Sequence, residues 1–220
     1  MKYVYLFGDG AADGTAKMKN TLGGKGANLA EMNHLGIPVP PGFTITTEVC
    51  SYYYDNDKTF PDILDSQLRD ALRDSERIMG SKFGDANDPL LVSIRSGARQ
   101  SMPGMMETVL NVGLTSKTIP GLIKKTGNER FVYDAYRRLI MMYADVVMEK
   151  AAGVEPDSGI GIRHRLESLI EKHKSDNQYV NDTDLSGHDW KLLSDKFKDE
   201  IKNTLKNDFP DDPMEQLWGA

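Results

Sequence analysis

The chain has 220 residues, 39% hydrophobic and 27% charged, with a formal net charge of −6. That is ordinary globular composition, enough for one large domain or two small ones. The mild acidic excess argues against nucleic acid as the main partner, since a phosphate backbone calls for clustered Lys and Arg. One cysteine, Cys50, excludes an internal disulfide and a cysteine-based zinc site and fits a reducing compartment. No uninterrupted apolar run approaches the roughly 18 residues that a membrane span needs. The opening MKYVYLFGDG lacks the apolar core of a signal peptide, so the expected location is the cytoplasm.

Tyr3 to Phe7 is aromatic and β-branched and reads as a first strand, turned by Gly8-Asp9-Gly10. Leu22-Gly23-Gly24-Lys25-Gly26 then leads into a helix whose apolar face is predicted from Leu29, Met32 and Leu35. Gly36 is placed to cap that helix and Pro38 stops it. Glycines before a helix let backbone N–H groups approach an anion, and Lys25 adds a point charge. The spacing is neither a Walker A motif nor a dinucleotide fingerprint, so on its own the stretch reads most simply as a surface loop. Pro40-Pro41-Gly42 makes a rigid turn and Phe43 to Thr46 alternates like a strand. Thr47 is the expected N-cap of a helix through Tyr54, with Tyr52, Tyr53 and Tyr54 assigned to packing. Pro61 opens another helix, with Leu64, Leu68, Leu72 and Met79 on one side and Gly80 at its end.

The stretch from Pro89 to Gly113, PLLVSIRSGARQSMPGMMETVLNVG, is the centre of the reading. Leu90 to Ile94 is predicted as a buried strand that delivers Arg95 into a glycine-rich loop. A guanidinium is always charged and suits oxyanions, phosphate above all. Read alone, an arginine there more often pairs with a carboxylate and pins its loop. A second strand at Thr108 to Val112 closes the segment.

Beyond Gly113 charged helices take over. Asn128 is the predicted N-cap of a helix to about Lys150, with Phe131, Ala135, Leu139, Met142 and Val146 on its apolar side and Arg137-Arg138 as a solvated pair. Gly153 to Gly161 is a linker, and Ile162, Leu166, Leu169 and Ile170 mark the next helix. Ser186 with Asp189 forms a capping box for a helix carrying Trp190, Leu193, Phe197, Ile201 and Leu205. His34, His164, His173 and His188 read as surface or partly buried side chains. The last residues begin a helix with Met214, Leu217 and Trp218. An exposed apolar half-helix makes a poor natural terminus, so the chain is expected to be a piece of a longer polypeptide.

SIRSGARQSMPGMMETVLNVG closely resembles the arginine loop of the pyruvate, phosphate dikinase family, and GGKGANLAEM and PPGFTITTE stand before it in the order that family shows. The resemblance spans the chain. It implies an α+β fold, the first part of an ATP-grasp-like nucleotide-binding region, with a mixed β-sheet and an inserted helical subdomain. Residues 1–116, with 210–220 returning, would form the nucleotide-binding subdomain and 117–209 the helical one. The family interconverts ATP, phosphate and pyruvate with AMP, diphosphate and phosphoenolpyruvate through a phosphohistidine. Lys25 and Arg95 stand where the family places its catalytic, phosphate-contacting lysine and arginine, with Gly24, Gly97, Ser101 and Met102 also expected at the ATP phosphates. Magnesium would accompany ATP, its ligands lying beyond residue 220, with none in this fragment. The implied partners are ATP and the phosphohistidine and pyruvate-binding domains of a homo-oligomeric parent, with no nucleic acid and no membrane. The 220 residues alone are expected to be inactive. Phosphoenolpyruvate synthase or another ATP-grasp dikinase is the alternative enzyme, against which the SMPGMMETVLNVG loop argues; a non-catalytic nucleotide-binding module is the alternative of another class.

Overall fold

Alternating side chains at the N-terminus build β1 (Val4–Gly8), which pairs antiparallel with β2 (Ala11–Ala12) and with β3 (Gly42–Ile45), in the register Val4 opposite Ile45 and Phe7 opposite Gly42. The computed structural model describes residues 1–96, 108–156 and 159–220. Against this sheet lie α1 (Lys19–His34) and α3 (Leu64–Met79), and α2 (Thr47–Asp55) packs on α1. Gln67 on α3 joins helix to sheet: its Oε1 accepts from the Tyr3 and Val4 N–H groups at 2.7 and 3.1 Å, and its Nε2 donates to the Met1 carbonyl at 2.8 Å. Tyr3, Val4, Leu22, Ala27, Ala30, Leu64, Leu68 and Leu72 are buried.

Four further strands follow: β4 (Lys82–Phe83) pairs with β5 (Pro89–Leu90), and β6 (Val92–Arg95) with β7 (Thr108–Val112). The expected strands are present and the fold is α+β. Among the described residues they form three small sheets, because runs of two to five residues interrupted by glycine and proline do not extend one ladder. Leu90 to Ile94 is interrupted at Leu91. Leu90 is buried, whereas Val92 and Ile94 are half-buried and alternate with exposed Ser93 and Arg95. This is an amphipathic strand where a fully buried one was expected.

The helical part comprises α4 (Ile119–Thr126), α5 (Glu129–Tyr143), α6 (Ile162–Asn177), α7 (Gly187–Leu205) and α8 (Pro213–Gly219). Asn128 caps α5 as expected, accepting from the Phe131 N–H at 3.0 Å. Past Tyr143 the backbone widens into a π-helix, Ala144–Ala151, which periodicity did not reveal. The buried side of α5 is Val132, Tyr136, Leu139, Ile140 and Tyr143, while Phe131 is exposed. Arg137 is not solvated: it is buried, bonds Asp134 at 2.8 Å, and lies 4.4 Å over the fully buried Trp190 ring. Such cation–π contact and buried methylenes make it a packing residue. His173 is also buried, bonded to Asp189 at 2.9 Å.

The chain divides into two compact units, one of Met1–Lys82 with Arg95 and Ser96, the other of Phe83–Ile94 with the described residues from 108 onward. All helices from α4 onward lie in the second. Among the described residues no helix is long and apolar enough to cross a membrane.

The α7 capping box ties packing to charge. Ser186 Oγ accepts from the Asp189 N–H at 3.2 Å, and Asp189 Oδ2 accepts from the Ser186 N–H at 2.8 Å and its hydroxyl at 2.6 Å. Burial alone would raise the Asp189 carboxyl, but the bonds from Ser186 and His173 outweigh it and hold the carboxyl at about 2, below its ordinary 3.8. Between these values the unfolded chain binds the extra proton, so stability falls as pH drops. Asp189's contribution is complete above pH ~4 and is lost as pH falls toward ~2. Asp189→Ala should cost about 1–2 kcal/mol at neutral pH, as loss of an N-terminal cap does, and should flatten that acid limb; thermal melts of both proteins from acid to neutral pH measure it.

Candidate nucleotide-phosphate site

Met18 to Leu22 wind one helical turn, closed by the Leu22 N–H donating to the Met18 carbonyl at 2.8 Å. Gly23 then breaks the helix, with φ 67° and ψ 171°. An L side chain is strongly disfavoured there. The long part of α1 therefore starts afresh at Gly24, and Gly24, Lys25 and Gly26 form its first turn. Backbone N–H groups in the first turn of a helix lack intrahelical partners and, with the helix dipole, favour an anion. A Cβ built on Gly24 meets nothing within 4 Å, so the new helix start opens onto free space.

The lower side of the same turn is packed. A Cβ on Gly26 would stand 2.7 Å from Thr44 Cγ2 and 2.8 Å from its Oγ1, which fixes the helix against β3. The buried face of α1 is Leu22, Gly23, Gly26, Ala27, Ala30 and Asn33. This corrects the expected face: Met32 and Leu35 are 38% and 68% exposed, because small residues let the backbone approach the sheet closely. The cap of α2 also differs. Thr46 occupies the N-cap position without a side-chain bond, and Thr47 Oγ1 donates instead to the Asn20 carbonyl at 2.5 Å. That bond ties the turn before Gly23 to the start of α2.

Lys25 is half-buried, and Arg95, the last residue of β6, is exposed. Neither forms an ion pair among the described residues, and both belong to the first compact unit. Gly97, Ser101 and Met102 lie outside the described residues. Among the described residues no group of three or more His, Cys, Asp or Glu comes together to hold a metal.

Sequence reasoning missed Gln216. It is completely buried, and it bonds the segment directly after β7. The one cue was a glutamine inside the apolar half-helix of Met214, Leu217 and Trp218. That half-helix is not an exposed apolar end, since Leu217 is buried.

Gly23→Ala should cost about 1–3 kcal/mol, the strain of a side chain in that backbone region, whereas Gly24→Ala meets no steric obstacle. Chemical denaturation of both variants checks this; equal stabilities would contradict the break.

Residues 19–66, which include Gly24 and Lys25, match the family model described as pyruvate phosphate dikinase, AMP/ATP-binding domain. The whole chain is 47% identical to pyruvate, phosphate dikinase of Clostridium symbiosum, covering 24% of that protein, and 46% identical to that of Rhizobium meliloti (strain 1021), covering 23%. It is 44% identical over 217 residues to pyruvate, phosphate dikinase 1, chloroplastic, of Arabidopsis thaliana, covering 98% of this chain and 21% of the relative. The chain thus spans about a quarter of the length of these curated relatives. Over its whole length the chain is thus similar to the first part of pyruvate, phosphate dikinases, and residues 19–66 match the AMP/ATP-binding domain model.

Proposed function

We propose that these residues are the N-terminal nucleotide-binding part of a pyruvate, phosphate dikinase, which interconverts ATP, phosphate and pyruvate with AMP, diphosphate and phosphoenolpyruvate. The observation that carries the reading is the restart of α1 at Gly24 beside a half-buried lysine with no ion pair among the described residues. Lys25 supplies a point charge to the ATP phosphates, and the Gly24 N–H donates beside it. Arg95 supplies the planar fork that matches phosphate oxygens two at a time. Gly97, Ser101 and Met102 complete the cradle from the arginine loop. These groups act by position and charge, which is how phosphoryl transfer is mainly accelerated. ATP binds with magnesium, held by residues outside this chain. The parent is a cytoplasmic homo-oligomer whose further domains carry the phosphohistidine and the pyruvate site.

Arg95→Ala in the complete polypeptide should slow histidine phosphorylation by ATP by roughly 10³ or more. Stability should change little, by about 0.5 kcal/mol or less, as for an exposed side chain. The half-reaction between phosphohistidine and pyruvate should survive. Assaying each half-reaction beside a thermal melt checks this. A large drop in melting temperature with both half-reactions failing together would make Arg95 structural.

The isolated 220 residues should bind ATP weakly and turn over neither ATP nor pyruvate. Magnesium-dependent turnover by the purified chain would contradict the division of labour.

A further inference from the structure

The break in α1 separates a carbonyl from its helical partner, and a side chain from another element takes it. In an uninterrupted helix the Asn20 carbonyl would accept from the N–H four residues on, that of Gly24. Gly23, at φ 67° and ψ 171°, turns the Gly24 N–H out of that path. Thr47 Oγ1 donates to the Asn20 carbonyl at 2.5 Å. The hydroxyl on the first residue of α2 thus satisfies the acceptor that a continuous helix would give to the Gly24 amide. It does so at the expense of local capping, since the start of α2 has no side-chain cap bond.

Thr47 is a firm anchor because β3 runs directly into it. Ile45 pairs with Val4, and the Thr46 N–H donates to the Tyr3 carbonyl at 2.9 Å. Thr46 and Val49, on either side of the α2 start, are buried. The same segment also holds the far side of the break, where the contact of Gly26 with Thr44 leaves no room for a Cβ. Four consecutive residues, Thr44 to Thr47, therefore grip both sides of Gly23. Thr44 meets the new helix and Thr47 meets the turn before it. Gly24 lies between these two contacts, and its open side stays clear of both, since a Cβ there meets nothing within 4 Å.

We propose that Thr47 is a positioning residue for nucleotide binding: its hydroxyl holds the Asn20 carbonyl, keeps the two parts of α1 apart, and so directs the Gly24 N–H at the phosphates beside Lys25. The inference rests on the assignment of Gly24 and Lys25 to the ATP phosphates, which stands on the match of residues 19–66 as well as on the break. Every group in it belongs to the first compact unit. A threonine that only stabilised that unit would show in melting temperature and nowhere else. A positioning hydroxyl also changes the affinity of the folded protein for ATP, and serine can supply it.

The test compares Thr47→Val, which keeps the branched shape and loses the hydroxyl, with Thr47→Ser, which keeps the hydroxyl and loses the methyl group. ATP affinity of the complete polypeptide is measured by equilibrium dialysis, well below each protein's melting temperature. Thr47→Val should weaken ATP binding roughly tenfold, the scale expected when a binding group is displaced by a fraction of an ångström. Thr47→Ser should stay within about twofold of the parent, because the hydrogen bond survives. If Thr47→Val does not fold, Thr47→Ala takes its place. Unchanged ATP affinity in the folded Thr47→Val protein overturns the inference. Equal weakening by Thr47→Val and Thr47→Ser also overturns it, since the effect would then belong to the methyl group. Lys25→Met binding ATP normally overturns instead the phosphate role on which the inference stands.

Discussion

Gly23 holds a backbone conformation that only glycine accepts readily, and the arrangement of the first unit follows from it. The break separates a single turn, tied through Asn20 to Thr47, from a helix that begins at Gly24. Without the break, a continuous helix from Lys19 would satisfy the N–H groups of Gly24, Lys25 and Gly26 internally. With it, those groups form a fresh N-terminus facing open space, while Gly26 presses the same turn onto Thr44. Packing on one side fixes the direction of the donors on the other. This is the arrangement that an anion site needs: preorganised donors whose orientation is set before the ligand arrives.

Two glutamines solve the same problem in the two units. Gln67 satisfies the start of β1 from α3, and Gln216 satisfies the exit of β7 from α8. Short strands leave edge groups without ladder partners, and an unpaired buried group costs about 1–3 kcal/mol. A glutamine offers an acceptor and two donors on a reach long enough to bridge elements. Small sheets joined to helices in this way need no long ladder. In the second unit Arg137 adds a charged counterpart, its guanidinium bonded to Asp134 and stacked over Trp190.

What was legible in the sequence was what is local. Asn128, the Ser186–Asp189 pair and Gly80 end or begin helices through bonds within a few residues, so their spacing alone reveals them. Features decided by a distant partner were not legible. Met32 and Leu35 had the right spacing for a buried face, but close approach to β3 demanded Gly26, Ala27 and Ala30 instead. Arg137-Arg138 read as a solvated pair because nothing nearby in sequence announces Trp190. The interruption at Leu91 depends on β5 and β6 taking different partners. Gly24, Lys25 and Arg95 of the candidate site were nameable from their motifs, whereas the buried tie made by Gln216 was not legible, since Gly113 and Leu114, which it bonds, lie more than a hundred positions back.

In the proposed function Lys25, Gly24 and Arg95 address one set of nucleotide phosphates. A crystal structure of the complete polypeptide with bound ATP tests it most directly. The expected result is phosphate oxygens within about 3 Å of Lys25 Nζ, the Gly24 N–H and the Arg95 guanidinium, the ordinary range for such bonds. ATP bound with its phosphates away from all three groups, and Arg95 paired to a carboxylate, would contradict it.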